Sequence, residues 1–384
     1  MGKTTDFEKE KKKHNRRKKL KQLMTVLVIS ALAIVVYAFR IEIAVQGLGV
    51  IFSDAVAYVI DNNGFPVSID SNPNQLTAVG RRAVVVTDSS MMAYNPAGNK
   101  VIEKRTSGKD IIAVTSGKYL LSYEQGGYEL EIRTGDTVLY NHRFTETIYC
   151  ADVAKTGAFA VATGAIGAQA QVTSFDSSYN QQFMWLSNDR MIYSLSLDDR
   201  AQHIAVGGVG LDDGEITSAV SVFELQTGDQ RGTAELKNEL LLDIDLFENG
   251  NVTAVTDKSV KAFASNGKIK GEYSFEGDKI AAFDIAENGT AVALGDYDAL
   301  REQRIVRLDA LCKPLADCRS SNKAESIFVY GDDTLVFIGE RVIRFDDKLG
   351  RVASTETPEA ISVYPTEKSL YYVTADDMNR VAIK

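Results

Sequence analysis

The sequence predicts an all-β fold: a β-propeller of eight four-stranded blades, with seven as the alternative count, preceded by one transmembrane helix and a short amphipathic helix. Three observations carry the prediction. One uncharged apolar run lies near the N-terminus, a repeat with a period of about 35 to 50 residues fills the rest of the chain, and the repeat lacks a 3.6-residue apolar periodicity.

Residues 1–22 hold ten Lys/Arg against three Asp/Glu, a net +7, so the remainder carries −16 within a total of −9. A basic tail and an acidic body call for different surroundings. Between them Leu23 to Phe39 contains no charge, and its only polar residues are Thr25 and Ser30. At about 1.5 Å per residue this run covers roughly 26 Å, close to the ~30 Å hydrocarbon core. Arg40 can snorkel, and Ile41 and Ile43 extend the apolar face, giving a signal anchor over 23–43. A cleaved signal peptide would have a shorter apolar region and a small-x-small cleavage site. Lys/Arg are dense before the span, whereas only Arg40 follows it before Arg81, which puts the N-terminus in the cytoplasm and the body outside. The expected setting is the plasma membrane of a bacterium, with the bilayer contacted through Leu23 to Phe39 and anionic lipid headgroups through Lys9 to Lys21. Within 44–64, Leu48, Ile51, Phe52, Ala55, Val56, Val59 and Ile60 predict an amphipathic helix over Gln46 to Ile60, which Asp61-Asn62-Asn63-Gly64 ends.

From 65 to 384 each repeat starts with an apolar strand and a tight turn. The first turns fall at Gly80-Arg81, Gly117-Lys118, Thr156-Gly157, Asp198 to Arg200, Asn249-Gly250, Asn288-Gly289, Asp332-Asp333 and Thr366 to Lys368. Asn249-Gly250 and Asn288-Gly289 are the dipeptides that suit a type I′ hairpin, where both central residues have φ > 0. Second strands such as Ala83 to Thr87, Phe159 to Thr163 and Val252 to Thr256 are apolar on both faces, as a blade packed between two others requires. The last repeat stops after a third strand, Arg380 to Ile383. Phe65 to Ile69, an unassigned extended segment, can supply its fourth strand and so remove the exposed sheet edges.

Little in the chain signals chemistry. Histidine occurs only at positions 14, 142 and 203, too few outside the membrane for a multi-histidine metal site. Nucleophile-elbow, phosphate-loop and zincin motifs are missing, and Gly208-Val209-Gly210 lacks the third glycine and the helix of a dinucleotide fingerprint. No cofactor, metal or catalytic residue is assigned, and nucleic acid is not an expected partner. Cys150, Cys312 and Cys318 form no disulfide framework: Cys150 sits in an apolar strand, and extended chain would hold Cys312 and Cys318 roughly 20 Å apart. The sequons at Asn251 and Asn288 lie in tight turns.

Gly64-Phe65-Pro66-Val67-Ser68-Ile69 after a span and short helix, followed by Val85-Val86-Thr87-Asp88 and Met92-Ala93-Tyr94-Asn95, resembles an uncharacterised family of bacterial single-pass membrane-anchored proteins. That resemblance implies architecture and location and no activity. More loosely, Thr134-Gly135 and Gln226-Thr227-Gly228 resemble the outer turns of eight-bladed quinoprotein-like propellers. Those repeats usually carry a tryptophan per blade, and Trp185 is the single one here.

Three repeats are longer between second and third strands, at Gly164 to Gln171, Gly207 to Ser218 and Gly295 to Gln303. They are expected to be long loops on one face. Asp212, Asp213 and Glu215 in the second, with Asp296, Tyr297, Asp298, Arg301 and Glu302 in the third, are the candidate interaction residues. A solvated acidic surface or a cation site are the other readings of the same carboxylates. If Phe65 to Ile69 closes the ring, the anchor joins the turn-rich face and these loops point away from the membrane. The expected function is a protein-interaction or ligand-binding scaffold for an envelope protein partner. The alternative is a carboxylate-based hydrolase or lyase acting on envelope carbohydrate or peptide.

Overall fold

The computed structural model describes residues 64–105, 110–295 and 302–384. The basic tail, the membrane span, the helix at Gln46 to Ile60, and Asp296, Tyr297, Asp298 and Arg301 lie outside the described residues.

Residues 64 onward form eight four-stranded antiparallel sheets. In the first seven blades the strands, lettered a to d from the axis outward, are consecutive in sequence. The a strands are Pro73–Val79, Ile111–Ser116, Ile148–Val153, Met191–Leu197, Leu241–Leu246, Ile280–Ala286, Ser326–Tyr330 and Ser362–Pro365. Each touches the a strand of the next blade, and the eighth touches the first, which closes the ring. Blade 8 is completed from the other end of the chain: Val67–Ser68 pairs with Asp377–Ala382, with Val67 opposite Met378 and Ser68 opposite Asp377. Only these two residues of the expected Phe65 to Ile69 segment join the ladder, and the third strand begins at Asp377 rather than Arg380 because Ser369–Val373 pairs along that length.

The core is divided among the interfaces. Each of the eight apolar clusters draws on two neighbouring blades. In Arg82–Thr87, the b strand of blade 1, Val84 and Val86 pack toward blade 2 while Ala83 and Val85 pack toward blade 8. Period-two alternation therefore buries both faces of the strand. Each valine so withdrawn from water contributes about 1.5 to 3 kcal/mol, and the methyl of Ala83 less.

The turns follow local chemistry, with one reassignment. At c–d turns Asn95, Asp176, Asp309 and Asp346 accept hydrogen bonds from the backbone N–H groups two and four residues on, an arrangement that seats the chain reversal. The Asn-Gly sites are not type I′ hairpins. Positive φ occurs at Gly250 and Gly289 but not at Asn249 or Asn288: the a–b turn of blade 5 is a four-residue loop in which only its last residue is left-handed, and in blade 6 Gly289 already pairs with Ala286, leaving Glu287 and Asn288 as the turn. The type I′ pattern appears instead at Asp213-Gly214, with φ of 48° and 83°.

That turn corrects the expectation of long loops. Gly207 to Ser218 is not a loop: the b and c strands of blade 4, His203–Asp212 and Glu215–Glu224, are paired without interruption to Asp212 opposite Glu215. Alternation of small and apolar residues through Gly208-Val209-Gly210-Leu211 simply continues the strand. In blade 3, Phe159–Ala165 and Ala168–Phe175 leave only Ile166 and Gly167 as the turn.

Candidate docking face and axial cavity

Antiparallel blades put a–b and c–d turns on one face and b–c and d–a connections on the other. The chain enters on the first: Gly64 lies against the backbone of Ala97 and Gly98 in a c–d turn, closer than any Cβ would permit. The projecting hairpin of blade 4 rises from the opposite face.

This hairpin, the arm, is two-sided. Leu211 lies opposite Ile216, and Met191 opposite Val209, so these four side chains share one side of the sheet. Val209 packs at the blade 4–5 interface, but Leu211 is 72% exposed and Met191 and Ile216 are also exposed. Asp212 and Glu215 lie opposite one another on the other side, with Thr217 and, across from it, Lys237. Asp213 occupies the turn. Among the described residues the carboxylates of Asp212, Asp213 and Glu215 form no ion pair. Two carboxylates directly opposed across strands destabilise a hairpin, and the Leu211–Ile216 pair, though it supports the hairpin as a cross-strand contact, leaves most of Leu211 in water. Blades 3 and 4 expose further apolar side chains: Tyr193, which lines the axial cavity, Leu186 near the end of its d strand, and Ile166 at a turn, 93% exposed. Of the predicted candidates, the structure thus brings Asp212, Asp213 and Glu215 together at the arm tip. Glu302 instead pairs with Arg319 at 3.5 Å.

The sequence allowed carboxylates lining the channel as the basis of the alternative activity but named none of them. A cavity of about 460 Å³ is lined by Tyr123, Gln125, Asp152, Tyr193, Asp243 and Asp245 among others. A second of about 300 Å³ shares Asp152 and Asp245 and adds Lys155, Asp199, Glu248 and Glu287. Burial pushes Asp152 and Asp245 up to about 7 and Asp284 to about 6, and raises Asp243. Most of these groups join one blade to the next. Asp152 accepts the Leu197 N–H at 2.8 Å and Asp284 the Val329 N–H at 2.7 Å. Asp245 accepts the Ser196 hydroxyl at 3.1 Å, and Ser196 accepts the Leu246 N–H at 2.9 Å. Asp243 accepts the Ser194 hydroxyl at 2.8 Å and remains open to the cavity. A signal existed: Asp152, Asp245 and Asp284 each precede a turn glycine, Gly157, Gly250 and Gly289, by five residues. Among the described residues no three His, Cys, Asp or Glu side chains converge to hold a metal.

The fold is shared with solved propellers. BamB from Moraxella catarrhalis superposes with a TM-score of 0.52 at 11% identity, over 82% of this chain and 98% of that one. The C-terminal WD40 domain of Sif2 gives 0.62 at 11% identity, over 83% and 97%. Chaetomium thermophilum Sqt1, solved bound to the N-terminus of the ribosomal protein L10, gives 0.58 at 12% identity, over 82% and 97%. At such identities the likeness is one of fold alone. No curated protein matches the sequence. The pattern of a family of unknown function, DUF5711, matches residues 60–383, and the chain belongs to that family.

Proposed function

We propose that this protein is a scaffold of the bacterial envelope: a propeller tethered to the plasma membrane by residues 23–43 that docks a partner protein on its b–c face. The observation that carries the reading is the arm of blade 4, an ordered hairpin that leaves Leu211 and Ile216 in water and opposes two carboxylates. The opposed carboxylates work against the hairpin and the aliphatic pair is left largely in water, and both suit a surface that a partner covers. The basic tail and uncharged span support the membrane attachment. The likeness to WD40 and BamB propellers supports a binding role by analogy of fold only.

The test is chemical crosslinking in native membranes, comparing the intact chain with one in which residues 210–217 are replaced by Asn-Gly. A partner captured by the intact chain and lost from the shortened one is expected. Equal capture by both chains, or none by either, overturns the reading.

The axial carboxylates favour a second reading, hydrolytic or lyase chemistry on envelope carbohydrate or peptide. Groups titrating near neutrality in a partly apolar cavity suit a general acid. Their use as hydrogen-bond acceptors between blades counts against it; of the four, Asp243, which burial also raises, is the most exposed to solvent. An activity toward cell-wall fragments that disappears in Asp243→Asn would favour catalysis.

A further inference from the structure

We infer that the arm of blade 4 receives a polypeptide segment in which aliphatic side chains are flanked by Lys or Arg. This rests on the docking reading above and specifies its site and the chemistry of its partner.

The arm is amphipathic beyond the last point at which its own propeller covers it. The a strand supports the b strand only as far as Met191 opposite Val209, and the d strand supports the c strand only from Lys237 opposite Thr217. Residues 210–216 therefore project as a two-stranded hairpin, which is marginal in water by itself. Its apolar side carries Leu211 and Ile216, continuing the row begun by Met191 and Val209. An aliphatic pair at a projecting tip calls for an aliphatic counterpart.

Charge selects among the possible occupants. Asp212, Asp213 and Glu215 crowd the tip. The guanidinium at the arm's base, that of Arg190 beside Gly208 and Gly210, is already committed to Glu235 at 2.9 Å and Asp189 at 3.5 Å. Lys237, opposite Thr217, lies at the base on the carboxylate side and, among the described residues, forms no ion pair with Asp212 or Glu215. A cationic side chain reaching the tip would relieve the repulsion between Asp212 and Glu215 while its aliphatic neighbours cover Leu211 and Ile216. A second copy of the chain joined arm to arm would bring the two acidic tips together, and an anionic lipid surface would repel them. The chain's own N-terminal segment joins at the opposite face, beside blades 8 and 1, and only Asp61 to Asn63 separate Gly64 from the predicted helix.

The experiment puts a photo-crosslinking amino acid at position 211 of the full-length chain in native membranes and sequences the adducts. It is repeated with Asp212→Asn, Asp213→Asn and Glu215→Gln combined, and separately with Ile216→Ser. The expected adduct is a protein segment containing Leu, Ile or Val within a few residues of two or more Lys or Arg. Its yield falls about tenfold on charge neutralisation and on Ile216→Ser, and it declines with added salt. Thermal unfolding of each variant, measured in parallel, should stay within a few degrees of the parent. An acidic segment, a lipid adduct, a second copy of the chain, or yield indifferent to the neutralised tip overturns the inference. Adducts obtained only from probes elsewhere on the b–c face refute the arm while leaving the docking reading intact. The absence of any adduct from that face removes both.

Discussion

Asp152 and Asp245 ionise with difficulty, and the cause is position. Both sit on inner strands where the neighbouring blade takes away water, with the charge of Asp243 near Asp152 and those of Asp152, Asp243 and Asp284 near Asp245. A carboxyl held at about 7 in the fold, against about 4 unfolded, favours folding most fully below pH 4. That contribution is lost as the pH rises through 7. Asp245→Asn, which keeps an acceptor for the Ser196 hydroxyl, should therefore stabilise the propeller at pH 8 and leave it unchanged at pH 4. The gain should be on the order of 1 to 2 kcal/mol, below the full shift because water in the channel screens the charge. Urea denaturation at the two pH values measures it, and an equal effect at both would mean that the carboxylate is ionised throughout. A different single-residue constraint operates at the rim. A Cβ on Gly271 would lie 1.8 Å from the Leu311 carbonyl oxygen in the next blade's c–d turn, and one on Gly232 2.1 Å from the backbone of Asn266. These contacts are to backbone, which cannot swing aside. Gly271→Ala is expected to cost about 1 to 3 kcal/mol, as overpacking does, and a lowered unfolding midpoint is its readout.

Individual strands and hairpins show what could be read in the sequence and what could not. The b strands were legible because burial on both faces leaves continuous apolar runs such as Ala83 to Val86, with no polar residue to confuse the period. Closure of the ring by Val67–Ser68 was legible because one strand was missing at the C-terminus and one was spare after residue 64. The arm was not, because Gly208 and Gly210 look like a loop when read without their cross-strand partners, yet Gly210 pairs with Thr217 in an unbroken ladder. The axial aspartates were hidden for a related reason: a lone Asp in an apolar strand gains meaning only once its counterpart in the next repeat is aligned with it. The closing strand makes the firmest prediction at this scale. Deleting residues up to Ile69 exposes the N–H and C=O groups of Asp377–Ala382 and removes Ile69 from the blade 8–1 interface. The propeller lacking them should unfold at least ten degrees lower and run as higher-order species in gel filtration, and an unchanged melting temperature would show that the ring closes without them.

At the scale of the whole molecule, the path of the chain fixes which face can meet which environment. Gly64 sits among the c–d turns, and the arm stands on the face reached only after the chain has crossed the sheet from Val67 toward Ile69. On the proposed topology, with residues 23–43 in the bilayer and the basic tail inside, the propeller and its arm belong to the space outside the plasma membrane. The native cysteines make the arrangement measurable. Cys150 and Cys312 are buried, burial pushes the Cys312 thiol up to about 12, and burial also raises Cys318, so none is disposed to form a reactive thiolate at neutral pH. A cysteine introduced at Leu211 should therefore react with a membrane-impermeant maleimide applied to cells whose outer layers have been made permeable but whose plasma membrane is intact. One introduced at Thr4 should react only after that membrane is lysed. The reverse labelling would invert the topology and with it every argument that sets the arm in the envelope. Labelling of Leu211→Cys that is blocked in cells but free in the purified chain would mean instead that the arm is already covered by its partner.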